Sequence, residues 1–187
     1  MTSSPIPGLV QVYTGNGKGK TTCALGAGLR AAGHGLRVIM LCFMKAKIAA
    51  RNGAAEVNYG EFKSVESVPN FTIIPVGRET FVDKINPDPI DIQMAQDGLK
   101  MARDALESHK CDVLILDEIN VAVEWTLISL EEQLALLDLK PINVELIMTG
   151  RYAHPTLLER ADLVTEMVEK KHYYEAKGIA ARKGFEF

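Results

Sequence analysis

The chain has 187 residues, 47% apolar and 24% charged, a balance that supports one buried core and excludes a disordered polyelectrolyte. With 21 Lys and Arg against 24 Asp and Glu the net charge is −3, which argues against a generally basic nucleic-acid partner. The longest apolar run, residues 38–44, is far too short to span a bilayer, and the opening Met1-Thr-Ser-Ser-Pro5 lacks a secretory pattern, so a cytoplasmic protein without a membrane partner is expected.

Residues 9–13 read as a first strand, followed by a Gly-rich turn and a helix over about residues 20–32. Ala24, Ala27, Gly28 and Ala31 let that helix lie close against a sheet, and Gly33-His34-Gly35 ends it. Residues 37–43 are nearly all β-branched or apolar, the pattern of a strand buried on both faces. Residues 45–66 have no clean period and read as a flap or loop, with Lys45, Lys47 and Arg51 on a solvated face. A third strand covers residues 71–76. Asp88 and Pro89 then supply an N-cap and a first-turn proline for an amphipathic helix carried by Ile92, Ala95, Leu99, Ala102 and Leu106.

Residues 113–116 form a fourth strand, and Ser129-Leu-Glu-Glu132 is a capping box opening a helix that runs through Leu137. Residues 144–148 and 163–168 are further strands, with a short helix from Pro155 between them. This alternation implies an α/β fold in one domain over residues 1–187: a doubly wound, mostly parallel sheet of the P-loop nucleotide-binding type, flanked by helices. Cys23, Cys42 and Cys111 have no metal-type spacing and sit among apolar residues, so buried thiols are expected.

The strongest signal is Thr14-Gly-Asn-Gly-Lys-Gly-Lys-Thr21, followed by Thr22, where the first strand feeds the first helix. It fits the phosphate-loop pattern, with Thr14 at the usual first glycine position. Glycines let successive backbone N–H groups converge on phosphate oxygens, and the helix N-terminus adds a favourable dipole. Lys20 supplies a point charge for the phosphates, and the Thr21 hydroxyl can ligate Mg²⁺. Lys18 is a second cation in the loop, more than the minimal motif requires.

Val113-Leu-Ile-Leu-Asp117-Glu118 is an apolar strand ending in two carboxylates, and a carboxylate there completes the metal site of phosphate-loop proteins. Thr149-Gly150-Arg151 follows a buried strand at the same sheet edge, where Arg151 either holds a phosphate or carboxylate or lies on the surface. Lys170-Lys171-His172-Tyr173-Tyr174 and Arg182-Lys183 make the C-terminus basic and aromatic, either a solvated tail or part of the site. His172 has no partner at metal-ligand spacing and is not read as a ligand.

Thr14 to Thr22, Arg30-Ala-Ala-Gly-His-Gly35, Leu116-Asp-Glu-Ile119, Thr149-Gly-Arg151, Ala161-Asp-Leu-Val-Thr-Glu166 and Lys171-His172 together resemble one group, the phosphate-loop ATP:corrinoid (cob(I)alamin) adenosyltransferases. The ending Gly178-Ile-x-Ala181-x-x-Gly184-Phe-Glu186 is similar too, so the resemblance covers residues 8–187. It implies that a Co(I) corrinoid attacks C5′ of ATP and expels triphosphate, with ATP and corrinoid as substrates, Mg²⁺ as cofactor, an electron donor for Co(II) reduction and a homodimer.

By that resemblance Gly15, Asn16, Gly17, Lys18, Gly19, Lys20 and Thr21 bind the triphosphate. Lys20 offsets its growing charge and Thr22 supports the loop. Thr21 and Glu118 are the Mg²⁺ partners, with Asp117 behind them, and Arg151 is a phosphate or corrinoid contact. Some relatives carry Gly-Phe-Thr-Trp after the third strand, where aromatics help displace the lower cobalt ligand. Here the stretch is Gly77-Arg-Glu-Thr-Phe81, and Phe81 either takes over that apolar face or packs in the core. The rival readings are a phosphate-loop kinase or ATPase, and a non-catalytic nucleotide-gated corrinoid carrier.

Overall fold

A computed structural model describes residues 7–46 and 59–187. Its strands, in chain order, are β1 (Val10–Thr14), β2 (Val38–Phe43), β3 (Phe71–Val76), β4 (Val113–Asp117), β5 (Glu145–Thr149) and β6 (Leu163–Glu166). They form one sheet in the order β3-β2-β4-β5-β1-β6, with every neighbouring pair parallel. The helices are α1 (Lys20–Gly33), α2 (Gly60–Val65), α3 (Pro89–Glu107), α4 (Ile119–Glu124), α5 (Leu130–Leu139), α6 (Pro155–Arg160) and α7 (Tyr173–Lys177). Parallel strands need long return connections, and the helices supply them on both faces. The α/β reading of the sequence therefore holds.

Alternation along each strand divides the core in two. Val12, Leu41, Phe43, Leu114, Leu116, Leu146 and Met148 face one side, where they pack with Leu99 and Leu106 of α3 and Leu136 of α5. Met40, Cys42, Val113, Ile115 and Ile147 face the other side, packed with Ala24 of α1. The buried row of α1 is Lys20, Ala24, Gly28 and Ala32, a strict i, i+4 repeat. A Cβ on Gly28 would stand 2.8 Å from the Phe71 ring, so the close approach of helix and sheet requires glycine there. Gly35 at φ 82, with the Leu36 N–H donating to the Ala31 carbonyl at 3.2 Å, closes the helix as expected.

Some local expectations change. Cys23 is exposed, because it lies one step off the buried row of α1; Cys42 and Cys111 are buried thiols, and burial pushes Cys111 up to about 11. Asp88 stands at the N-cap of α3 without capping it, since its carboxylate accepts from Arg78 instead. The capping box of α5 is present, with the Glu132 N–H donating to Ser129 Oγ at 3.2 Å and the Ser129 N–H to Glu132 Oε2 at 2.9 Å. Strand β6 ends at Glu166, two residues short of the expected span, and all four of its residues are exposed at the sheet edge. Helices α2 and α4 have too few residues to show a period in sequence. No described helix is long and apolar enough to cross a membrane.

Candidate active site

The chain leaves β1 at Gly15, with φ 92, and enters α1 through Gly19, with φ 117. Both values lie where a side chain is strained. The loop between them is braced by the residue after β6: the Gly17 N–H donates to the Met167 carbonyl at 2.6 Å. A Cβ on Gly15 would come 2.5 Å from that same oxygen. Thr14, at the position of the usual first glycine, belongs to β1 itself, and its hydroxyl accepts from the Ala153 N–H at 3.4 Å.

Lys20 is buried, and its ammonium donates to the Gly15 and Gly17 carbonyls at 2.8 Å each. Burial lowers its pKa below the ordinary lysine value; Glu118 opposes that shift and Arg151 adds to it. Arg151 reaches the loop from beyond β5, donating to the Asn16 carbonyl at 3.3 Å. The turn before it needs Gly150, at φ 130, because a Cβ there would meet the Asn120 side chain at 3.0 Å. Asn120 in turn donates to the Gly150 carbonyl and accepts from Gln133, a buried polar chain that holds the turn in place.

The two carboxylates at the end of β4 have different surroundings. Asp117 is fully buried, accepting from Lys45 Nζ at 2.8 Å on one oxygen and from Thr149 Oγ1 at 2.7 Å on the other. Glu118 adopts φ 62, and its N–H donates to that same Thr149 hydroxyl at 3.0 Å. This left-handed turn brings Glu118 to line a cleft of about 740 Å³ with Asn16, Gly17, Lys18, Gly19, Lys20, Thr21, Thr22 and Arg151. Burial and the neighbouring Asp117 charge raise the Glu118 pKa, while Lys45, Lys20 and Arg151 work against the rise. Lys45 lines the cleft as well, which corrects its reading as a solvated loop residue. Lys47 and Arg51 lie outside the described residues.

The C-terminal segment, though largely exposed, lies against the glycine-rich loop. Lys18 Nζ donates to the Phe185 carbonyl at 3.1 Å and lies 4.0 Å from the Glu186 carboxylate. Glu186 also accepts from the Tyr173 hydroxyl and from Arg182, and these bonds hold it down to about 2. The Arg182 guanidinium sits over both the Tyr173 and Phe185 rings, at 4.8 and 4.7 Å. His172 caps α7, its Nδ1 accepting from the Tyr174 N–H. The basic and aromatic composition of this segment was a signal, but its partner Lys18 lies 167 residues away from Phe185.

Exposed ion pairs contribute little individually, and Lys18 is the loop side chain that bonds the segment. Lys18→Ala is therefore expected to speed tryptic cleavage after Arg182 and Lys183 by up to about fivefold. An unchanged cleavage rate would mean that Lys18 does not hold the segment against the loop.

Phe81 does not line this cleft. It is fully exposed on the stretch between β3 and α3, which rules out the alternative that it packs in the core. The stretch is anchored beside it by Arg78, whose guanidinium donates to buried Asp91 at 2.6 and 2.7 Å and to Asp88 at 3.0 Å.

Comparison with known proteins agrees with the motif order. The family described as ATP:corrinoid adenosyltransferase BtuR/CobO/CobP matches residues 7–187. The corrinoid adenosyltransferase of Pseudomonas aeruginosa is 36% identical over 180 residues, covering 96% of this chain and 84% of the relative. That of Escherichia coli K12 is 34% identical, covering 96% of this chain and 86% of the relative. Corrinoid adenosyltransferase CobA of Salmonella typhimurium is likewise 34% identical, with the same coverage. Among solved structures, the flagellar accessory protein FlaH of Methanocaldococcus jannaschii aligns with a TM-score of 0.52, covering 86% of this chain and 72% of FlaH. At 13% identity that likeness concerns the fold alone. The family match takes in the loop, the carboxylate pair and the folded-over C-terminus alike, and the chain belongs to the ATP:corrinoid adenosyltransferase BtuR/CobO/CobP family.

Proposed function

We propose that the chain transfers the 5′-deoxyadenosyl group of ATP to Co(I) of a corrinoid and releases triphosphate. The observation that carries this reading is the cleft in which the phosphate loop, Lys20, Glu118 and Arg151 meet, in a chain of this family. A bond forms from cobalt to C5′ as the C5′–O bond breaks, and the bonding pair leaves with triphosphate. The nucleophile arrives with the substrate, so the protein needs no Ser or Cys nucleophile and no general base. Its tasks are to hold triphosphate, to aim C5′ and to exclude water.

The loop N–H groups and Lys20 serve the first task, since charge accumulates on triphosphate as the bond breaks. For that amine to turn toward the phosphates it must leave the Gly15 and Gly17 carbonyls, which now accept from it. Arg151, which donates to the Asn16 carbonyl at 3.3 Å, is a further cation within reach of the loop.

The residues fit Mg²⁺. Among the described residues no hydrogen bond is made to the Glu118 carboxylate, which lines the cleft with the Thr21 hydroxyl. Mg²⁺ is a hard cation commonly held by one or two carboxylates together with substrate phosphates. The described residues hold no cluster of three His, Cys, Asp or Glu that would bind a metal without nucleotide. Thr21 and Glu118 would hold the ion, and it would supply charge neutralisation to the triphosphate. Asp117 stands behind them as a support of the site.

The same reading includes an electron donor for Co(II), a homodimer and a cytoplasmic location. It also gives Phe81 to the cobalt face of the corrinoid. An exposed ring contributes little to stability, so Phe81→Ala is expected to leave the melting temperature within about 2 °C, the scale of a surface substitution. Its activity should collapse when Co(II) corrinoid must be reduced on the enzyme and largely survive with pre-reduced Co(I). Equal losses in both assays would remove Phe81 from that role. The function itself is tested by incubating the protein with MgATP and chemically reduced corrinoid. Triphosphate release with a visible spectrum of Co–C bond formation is the expected result; ADP and phosphate would instead mark a kinase or ATPase.

A further inference from the structure

Lys45 occupies a built position. The chain leaves β2 through Met44 at φ 58, a strained value for that residue. Gly77 packs so closely that a Cβ on it would lie 2.7 Å from the Lys45 backbone nitrogen. Held in this way, the Lys45 side chain is only 16% exposed, its ammonium 2.8 Å from Asp117 Oδ2 and 5.1 Å from the centre of the Tyr59 ring. The other Asp117 oxygen accepts from Thr149 Oγ1 at 2.7 Å, so protein donors occupy both. The ends of β2, β4 and β5 are thereby tied together. Glu118 is left with its backbone bound to Thr149 and its carboxylate at the cleft.

We propose that Lys45 is a positioning residue that serves as the built-in cation of Asp117, so that Glu118 alone of the carboxylate pair is offered to the divalent cation arriving with ATP. The inference rests on the reading of this cleft as an MgATP site and adds to it a role for a lysine outside the phosphate loop. Its physical content is a charge balance. Two adjacent, uncompensated carboxylates would bind a divalent cation before nucleotide arrives and would repel triphosphate. One carboxylate, with the other neutralised from within the protein, does neither. The Tyr59 ring, with its centre 5.1 Å from the ammonium, favours the charged amine through its face.

The test reads two binding constants by calorimetry: Mg²⁺ alone into nucleotide-free protein, and ATP in excess Mg²⁺. Lys45→Met is expected to tighten Mg²⁺ binding and to weaken ATP binding, each by about tenfold, the scale of one charge a few ångströms away in a partly screened site. Lys45→Arg keeps the charge and should move neither constant by more than about twofold. The double variant Lys45→Met with Asp117→Asn removes both charges together, and both constants should return to near the wild-type values.

Opposite shifts of the two constants are the signature, because damage to the fold would weaken both. Constants that fall together in Lys45→Met, or that stay unchanged while the melting temperature drops, would make Lys45 a mere strut and overturn the proposal. If Lys45→Met alone does not fold, the double variant, which buries no lone charge, decides. A double variant as deficient in Mg²⁺-dependent ATP binding as Asp117→Asn alone would make Asp117 a metal ligand, and that too overturns it. Wild-type protein that binds no ATP in excess Mg²⁺ would overturn the site reading itself, before any variant is compared.

Discussion

Lys20→Ala is expected to lower kcat by about two orders of magnitude with saturating MgATP, the scale found for removing one preorganised electrostatic group from a site of developing charge. The amine is buried at the mouth of α1 and is the one loop cation whose donors are held within the loop itself. In the ground state triphosphate is already charged, so ATP affinity should fall as well. The larger loss belongs to kcat, because the leaving group gains charge in the transition state. The Gly15 and Gly17 carbonyls lose their donor in this variant, and the loop beside Met167 loosens. Lys20→Met, which refills the space without the charge, separates the two effects: it should repeat the kcat loss while keeping more of the affinity. Normal turnover by Lys20→Ala with saturating MgATP would show that the loop does not hold the leaving group.

Glu118→Gln is the second large effect. The substitution keeps the shape at φ 62 and removes the charge, and the Mg²⁺ concentration that half-saturates activity should rise by about tenfold or more. Stability should move the other way. Burial, with the Asp117 charge beside it, raises the Glu118 pKa, so the folded protein holds this proton more tightly than the unfolded chain does. Ionising Glu118 above the ordinary glutamate range therefore costs stability, and glutamine removes that cost. The melting temperature of Glu118→Gln at neutral pH should equal or exceed that of the wild type. Unaltered Mg²⁺ dependence would take Glu118 out of the metal site. A lower melting temperature would mean that its charge is compensated in the folded protein.

What was legible in the sequence follows from local chemistry. Buried parallel strands read as apolar runs, which is why β2 and β4 stood out. The loop stood out because its glycines, its lysine and its place between strand and helix are consecutive in the chain. Both N-cap serine and N3 glutamate of α5 lie within four residues, so that helix start was readable too. Short α2 and α4 were not, since six residues hold fewer than two turns and show no period.

Three arrangements required the fold. Lys45 and Asp117 are 72 residues apart and meet only because β2 and β4 are neighbours in the sheet, with Cys42 level with Asp117. Met167 braces Gly17 because β6 crosses to the far side of β1, a pairing that no local pattern encodes. The C-terminal segment reaches Lys18 from the other end of the chain. In each case the residue types were visible, as a lysine after a strand or an arginine among aromatics. Strand order brings Lys45 to Asp117 and Met167 to Gly17, and the path of the chain after β6 brings Phe185 to Lys18. The sequence by itself determined the six strands, the longer helices and the glycine-rich loop, because these arise from neighbours in the chain. Only the tertiary structure decided which of two adjacent carboxylates is neutralised within the protein and which faces the cleft, because that depends on contacts across the sheet.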